Sequence, residues 1–399
     1  MSQDIVILGG ARTPMAEYSG TPGSGKLKDV SAIDLCVHAT KAALERTGIA
    51  ADQVEHIAVG NALQTSTDAI YGARHVGLKA GLPIETPAVT LNRLCGSGIQ
   101  SAVTCAQMMQ LGEAKLTVAG GMESMSQAPF VARGIRDGIR FGVQPQLEDS
   151  LFSSLMDPYC GLYMAQTAEN IARQSNISRQ AQDDYALRSH QLGAAAVQSG
   201  VFADEIAPIE VQKGRKTFVV DTDDHIKPDT TLEALSGLRA AFGKEGTVTA
   251  GNASGIVDGA AALVLATADH ACELGKEPIA KIRSWGMAGV APDVMGMGPV
   301  PAIKIAVERA GLSLEDIDYF EINEAFSAQY LGVEKDLGLD RDKCNVNGGA
   351  IALGHPLGAT GTRLLLTLLY QLRRTGKSFG CASACIGGGQ GIAMILESL

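Results

Sequence analysis

In the first third of the chain, short apolar runs alternate with segments whose apolar residues recur every three to four positions. Residues 4–10 and 54–60 are apolar runs that end in glycine, which predicts strands. Residues 31–48 place apolar side chains on one face and stop at Gly48, which predicts a helix. Residues 69–81 predict a second helix. Strands that alternate with helices indicate a mostly parallel sheet covered on both faces.

The alternation stops at about residue 126 and resumes after about residue 255. Prolines, arginines and acidic residues are more frequent in this stretch, and two helices are predicted, over residues 167–174 and 180–200, with Ser178 as a plausible cap of the second. We interpret the stretch as a loop domain inserted between two α/β units.

The second α/β unit repeats the first at a constant offset of 263 residues. AALERTG at residues 42–48 matches IAVERAG at residues 305–311, and the same offset sets Gly98 on Gly361. We therefore predict a duplicated fold in three parts: an N-terminal half (residues 1–125 with 256–277), a loop domain (residues 126–255) and a C-terminal half (residues 278–399).

Composition narrows the class of function. The 399 residues are 46% apolar and 19% charged, which is typical of a globular protein with a large core. Forty-seven glycines fit the many tight turns of an α/β fold. The net charge of −10 argues against nucleic acid and anionic membranes as partners.

The cysteines and the first residues of the sequence are the basis for predicting the cellular compartment. Eight cysteines occur without CxxC pairs, which argues against a disulfide framework or a metal site and favours a reducing compartment. The first residues carry no basic segment, and no 18-residue apolar run follows. We expect a cytoplasmic protein.

Cys95 is the first candidate for chemistry. It lies between a predicted strand over residues 87–91 and a predicted helix over residues 101–109, beside Gly96 and Gly98. The positive end of the helix dipole at this position lowers the pKa of a cysteine, so we expect a reactive thiolate. The two glycines leave backbone N–H groups open to an acyl group. Judged on this stretch alone, the sequence is equally compatible with a small, buried, non-catalytic cysteine at a tight turn.

The second half adds a histidine, a second cysteine and an asparagine at glycine-rich strand ends. His355 lies between Gly354 and Pro356, where it is placed to act as a general base for Cys95. Considered without the other residues, His355 fits a role as a helix cap slightly better than a catalytic role. Asn323 and a second glycine-flanked cysteine belong to equivalent strand ends, where ligands of open α/β sheets bind, and this favours catalysis.

Six motifs together make the sequence closely resemble the thiolases, the acetyl-CoA acetyltransferase and 3-ketoacyl-CoA thiolase family. These are NRLCGSG (92–98), GGMESMS (120–126), TAGNASG (249–255), NEAF (323–326), GHP (354–356) and CIGGG (385–389). The resemblance runs nearly end to end. It implies an α/β thiolase fold of two βαβαβαββ halves in a layered α/β/α/β/α core, with a loop domain covering the site.

The resemblance also implies a reaction and its residues. Cys95 would take an acyl group from an acyl-CoA while His355 accepts the thiol proton. Cys385 would remove the α-proton of a second acetyl-CoA, and the carbanion would attack acyl-Cys95. His355 and a water held by Asn323 would stabilise the enolate. Backbone N–H groups of Cys95 and Gly387 would bind the oxyanion of the tetrahedral intermediate.

Coenzyme A would be substrate and product, with no further cofactor and no metal. Six residues match family positions near CoA or its acyl group: Ser254, Lys227, Phe242, Met164, Met295 and Phe326. Lys227 stands where relatives often have arginine. Tyr163 replaces a frequent histidine, Val257 replaces a frequent asparagine, and the loop over residues 18–28 looks longer than usual.

Several alternatives stay open at this point. We expect an acetyl-CoA C-acetyltransferase of short-chain or broad preference, forming a homotetramer built from dimers. The alternative is a degradative longer-chain 3-ketoacyl-CoA thiolase. A decarboxylating condensing enzyme would pair its cysteine with two histidines, whereas only His355 lies in a suitable motif. A non-catalytic protein that binds CoA or lipid is disfavoured by the intact Cys95, Cys385, His355 and Asn323.

Overall fold

The computed structural model describes residues 4–399, which form sixteen strands and twelve α-helices. The strands are β1 (Ile5–Arg12), β2 (Ala16–Glu17), β3 (His56–Gly60), β4 (Ala88–Leu91), β5 (Leu116–Glu123), β6 (Phe130–Val131), β7 (Glu148–Asp149), β8 (Met156–Asp157), β9 (Leu162–Tyr163), β10 (Ile209–Lys213), β11 (Lys216–Val220), β12 (Val257–Thr267), β13 (Ala280–Gly289), β14 (Tyr319–Ile322), β15 (Phe379–Ile386) and β16 (Gln390–Ser398). The helices are α1 (Ala32–Thr47), α2 (Gly72–Ala80), α3 (Ser97–Gln110), α4 (Ser150–Ser154), α5 (Met164–Gln174), α6 (Arg179–Gln198), α7 (Leu232–Ser236), α8 (Ala268–Glu273), α9 (Pro299–Ala310), α10 (Ser327–Leu337), α11 (Ala350–Leu353) and α12 (Leu357–Thr375).

The two halves have the same strand order, except that the second half has no strand equivalent to β4. In the first half it is β4-β3-β5-β12-β1, and in the second it is β14-β15-β16-β13. The register carries the predicted offset, since Ile57 pairs with Val118 in one half and Phe320 pairs with Cys381 in the other. Antiparallel pairing of β1 with β13 joins both halves into one continuous path of strands.

The second half lacks a full third strand, which is a local departure from the expected βαβαβαββ pattern. Only Cys344 forms a bridge, to Phe320, where the first half has β4. The next residue, Asn345, adopts φ +46°, which ends an extended strand. Its side-chain amide bonds both the N–H and the C=O of Ile322 at 2.9 and 3.0 Å. A side chain thus satisfies the backbone groups that a strand would pair.

Helices α3 and α12 form the central layer. Their apolar faces share one core with the inner faces of both sheet halves, including Leu263 and Ala382. Helices α1 and α2 cover the other face of the first half, and α9 and α10 cover that of the second. This gives the expected order of layers, α/β/α/β/α.

The central helices touch backbone to backbone at their first turns. A Cβ at Gly98 would overlap the backbone nitrogen of Thr362, and a Cβ at Gly361 would overlap that of Ile99. Gly98 and Gly361 are the residues that the 263-residue offset pairs. The contact therefore lies where the two halves face each other, and it brings the start of α3 beside the start of α12.

Between β5 and β12 lie the elements from β6 to β11 and α4 to α7, in the stretch interpreted as an insertion. The longest is α6, which starts after Ser178 because the Ser178 hydroxyl accepts a hydrogen bond from Ala181 N at 3.1 Å. Within residues 4–399, no helix is long and apolar enough to cross a membrane.

Substituting Gly98 by alanine tests the close helix contact. We expect Gly98→Ala to lower the free energy of unfolding by about 1–3 kcal/mol, because the new methyl group overlaps main-chain atoms that cannot rotate away. Gly237→Ala is the control, since Gly237 has φ −73° and its nearest neighbour to a new Cβ is 3.5 Å away. Denaturant unfolding that gives equal stabilities for both variants would contradict the contact.

Candidate active site

Cys95 lies in a single tight turn, Leu94–Gly96, directly before α3. Leu94 holds φ +46°, a left-handed conformation that costs a non-glycine residue roughly 1 kcal/mol. The side-chain Oδ1 of Asn92 stabilises it by accepting a hydrogen bond from Leu94 N at 2.8 Å. The side chain of Cys95 packs against the small apolar cluster that contains Met125 and Leu357.

The expected low pKa of Cys95 is wrong. Burial raises the pKa of its thiol to about 11, and the nearby Glu123 carboxylate adds to the rise. The backbone N–H groups of Gly387 and of Cys95 itself face the sulfur and act in the opposite direction, but they do not outweigh the loss of water. The resting Cys95 is therefore a thiol that must lose its proton as it reacts.

His355 has the geometry of a neutral general base. The Thr360 hydroxyl donates to Pro356 O at 3.0 Å, so its oxygen accepts at 2.6 Å from the Nδ1–H of His355. This assigns the proton to Nδ1 and leaves the Nε2 lone pair facing the site. Burial lowers the pKa of His355 to about 3, helped by the charge of Arg363. The imidazole is uncharged at neutral pH.

Asn323 connects the histidine to the second cysteine. Its side-chain Nδ2 lies 3.3 Å from His355 Nε2, and the same side chain bonds Cys385 at the end of β15. Cys385 is fully buried, and its pKa is raised by burial and by the neighbouring Cys95 sulfur. All five predicted catalytic positions, the backbone of Gly387 included, thus come together.

A cavity of about 370 Å³ reaches this cluster. His355 is part of its wall, as are four of the six residues expected near CoA: Ser254, Phe242, Met164 and Phe326. The Phe242 ring stacks on Tyr163 with 5.0 Å between centroids. Apolar and aromatic side chains supply most of the wall, which suits a long flexible ligand arm.

The other two residues expected near CoA lie outside the cavity wall. Lys227 pairs with Glu17 at 3.1 Å, and Glu17 in turn lines the cavity. Met295 is buried against Cys385. Lys227 thus lies next to the cavity wall at Glu17, and Met295 lies next to the second cysteine.

The sequence motifs contained a buried carboxylate to which no role was assigned. Glu123 is fully buried and accepts from Asn61 Nδ2 at 2.8 Å, Leu63 N at 3.0 Å, Ala62 N at 3.1 Å and Gly358 N at 2.8 Å. Burial raises the pKa of Glu123 to about 8, although these four donors favour its ionised form. Glu123 thus ties the strand ends of the first half to the start of α12.

Glu324 ties the loop domain to the end of β14 in a similar way. Directly after Asn323, it accepts hydrogen bonds at 2.7 Å from the hydroxyls of both Tyr185 and Ser189 on α6. It also accepts from the backbone N–H of Ile351 at 3.1 Å. An acidic residue directly after a buried strand was the only signal for this role in the sequence. Among residues 4–399, no cluster of three or more His, Cys, Asp or Glu is placed to hold a metal ion.

This fold and site define an acyl-transferring enzyme with two thiols and one imidazole in a single cleft. Comparison with known proteins agrees. The thiolase N-terminal domain model matches residues 5–269, and the thiolase C-terminal domain model matches residues 276–398. The chain belongs to the thiolase family and is an acyltransferase.

Similar proteins carry two different names. The human mitochondrial 3-ketoacyl-CoA thiolase is 51% identical over 396 residues, covering 99% of this chain and 98% of that protein. The acetyl-CoA acetyltransferase of Escherichia coli (strain K12) is 47% identical over 398 residues, covering all of both chains. The crystal structure of human mitochondrial 3-ketoacyl-CoA thiolase in complex with CoA superposes with a TM-score of 0.96 at 50% identity, covering 100% of this chain and 98% of that chain.

Thr360→Val tests whether the Thr360 hydroxyl fixes the histidine tautomer. Without its acceptor, Nδ1 no longer holds the proton, and we expect kcat/KM to fall about 10- to 100-fold with little loss of stability. Thr375→Val is the control, because Thr375 makes the same type of bond on the same helix, to Gln371 O at 2.8 Å, far from the site. Equal activity of both variants in a steady-state assay would refute the role.

Proposed function

We propose that this protein interconverts two acyl-CoA molecules with a 3-ketoacyl-CoA and free CoA, through an acyl group carried on Cys95. The observation that supports this most strongly is the meeting of Cys95, Cys385 and His355 next to one apolar cavity. A thioester exchange needs a nucleophilic sulfur, and a condensation needs a second group that removes a proton from carbon. The site contains one thiol for each task.

Acylation begins with both thiols protonated and the imidazole neutral. The Cys95 sulfur attacks the thioester carbonyl while its proton moves to His355 Nε2. The carbon–sulfur bond to CoA breaks, and the CoA sulfur takes the proton of Cys385. The backbone N–H groups of Cys95 and Gly387 bind the carbonyl oxygen as charge develops, a contribution typically worth about 2.7–4 kcal/mol for each donor. Acyl-Cys95, an imidazolium and a Cys385 thiolate remain.

Condensation uses that charge pair. The Cys385 thiolate takes a proton from the α-carbon of a bound acetyl-CoA, while His355 and Asn323 stabilise the enolate oxygen. Burial makes this thiolate a strong base, since it raises the pKa of Cys385. The carbanion attacks the acyl carbon, the bond to Cys95 breaks, and the Cys95 sulfur recovers its proton from His355. CoA enters and leaves as a reactant, so we propose that no further cofactor takes part.

We propose a short-chain or broad acyl preference. Met164 and Met295 lie close to Cys385, where they limit the space for the acyl group, and their flexible side chains can move to fit acyl groups of different size. The alternative of a longer-chain degradative thiolase is supported by the human relative, which bears the name 3-ketoacyl-CoA thiolase. Relative rates of thiolysis across 3-ketoacyl-CoA chain lengths separate the two.

We also propose that the protein is cytoplasmic and assembles as a homotetramer built from dimers. Eight free cysteines suit a reducing compartment. The segment of residues 130–147 exposes several apolar side chains, among them Phe130, Phe141 and Leu147, which suits burial against another copy.

Cys95→Ser tests the proposed function. We expect incubation of the wild type with acetyl-CoA to add one acetyl group to the peptide containing Cys95, and the variant to add none, because a neutral hydroxyl is a far weaker nucleophile. Mass spectrometry of the digested protein measures this. Cys272→Ser is the control, since Cys272 is exposed and lies outside the site. A stable acyl group on another cysteine would contradict the assignment.

A further inference from the structure

A group of charged side chains lies beside the cavity, on the segment after β1 and on the loop domain, and only Lys227 among them has been given a role so far. Glu17 is the centre of the group. Its Oε2 accepts from Lys227 Nζ at 3.1 Å and from the Ser24 hydroxyl at 3.3 Å, and its Oε1 lies 3.4 Å from Nδ1 of His225. Both Glu17 and His225 line the cavity.

Glu17 is firmly held in this position. Its backbone pairs with Val257 of β12, its N–H donates to Asp224 Oδ1 at 2.6 Å, and its C=O accepts from Gly25 N at 2.9 Å. Burial disfavours ionisation of Glu17, but Lys227 and His225 outweigh it and hold the pKa of the carboxyl below its ordinary value. The cavity wall therefore carries a fixed negative charge.

The group marks the solvent end of the cavity. The Lys227 side chain is 53% exposed, whereas His355, at the reacting end, is 6% exposed. A ligand whose thioester reaches His355 can therefore extend its other end towards Glu17 and Lys227. In an acyl-CoA that other end carries the phosphate groups.

A phosphate at this end is attracted to the same cation that the carboxylate holds, Lys227. The Lys227 ammonium is a flexible point charge and can turn from Glu17 to a phosphate oxygen. The main chain of Glu17 cannot withdraw, because it is bonded on both sides, and Ser24 and His225 still hold its carboxylate in place. Each phosphate that gains Lys227 thus leaves a buried carboxylate without its main partner.

We propose that Glu17 is a specificity-determining residue that weakens the hold on phosphate-bearing ligands by competing with them for Lys227. The consequence is faster release of CoA, with no effect on the reacting end of the ligand. This inference rests on the proposed function, since it takes an acyl-CoA as the occupant of the cavity.

Glu17→Gln tests the competition, because the amide keeps the shape and loses the charge. We expect CoA to bind about fivefold more tightly, as suits one partly exposed ion pair, and KM for CoA to fall without a rise in kcat. Pantetheine, which lacks phosphate, should bind equally to both proteins, and this also shows that the cavity is intact. Calorimetry and steady-state thiolysis provide the measurements.

Two comparisons separate the possible results. Asp29→Asn changes the net charge equally on the same loop, where Asp29 pairs with Lys28 at 2.9 Å and does not line the cavity, so CoA affinity should not change. In a Lys227→Met background, Glu17→Gln should have a much smaller effect. An equal effect of Glu17→Gln in that background would show that Glu17 simply repels the phosphate, and it would overturn the competition for Lys227. Wild type that binds CoA while Glu17→Gln changes nothing would also overturn it, whereas wild type that binds no CoA would refute the proposed function itself.

Discussion

The site depends on one steric constraint, the contact between the first turns of α3 and α12. Gly98 and Gly361 let the two helices meet without intervening side chains. Cys95 lies two residues before α3 and His355 lies two residues before α12, so this contact sets the spacing of the proposed nucleophile and the proposed base. Glu123 reinforces it by accepting a hydrogen bond from Gly358 N at 2.8 Å. A wider helix spacing would separate the two halves of the chemistry.

Burial has opposite effects on the two partners of proton transfer. It raises the pKa values of the Cys95 and Cys385 thiols and lowers the pKa of His355, so the uncharged forms dominate at rest. Charge therefore develops only when substrate is bound and when backbone N–H groups can stabilise it. The same dry surroundings raise the basicity of a Cys385 thiolate, as its proposed role in removing a proton from carbon requires.

The arrangement of the fold and the catalytic residues followed from sequence because the duplication preserved backbone register. The 263-residue offset predicted which strand ends are equivalent, and the pairing of Ile57 with Val118 and of Phe320 with Cys381 confirms it. The ionisation state of Cys95 did not follow, since it depends on how completely packing removes water. The ion pair of Glu17 with Lys227 joins residues 210 positions apart, so no local sequence pattern predicts it. The hydrogen bonds of the Asn345 side chain to Ile322, which replace a strand, could not be predicted either, because they also join residues distant in sequence.

The two thiols have separate tasks in the proposed reaction, and Cys385→Ala tests this division most directly. CoA is a good leaving thiolate, so the variant should still acylate Cys95 when given acetyl-CoA. It should not exchange the methyl protons of acetyl-CoA with deuterium from solvent, because no group remains to remove them. Mass spectrometry of the acylated peptide and proton magnetic resonance of the methyl group measure both. Acylation with no exchange is the predicted result, and deuterium exchange at the wild-type rate would contradict the account.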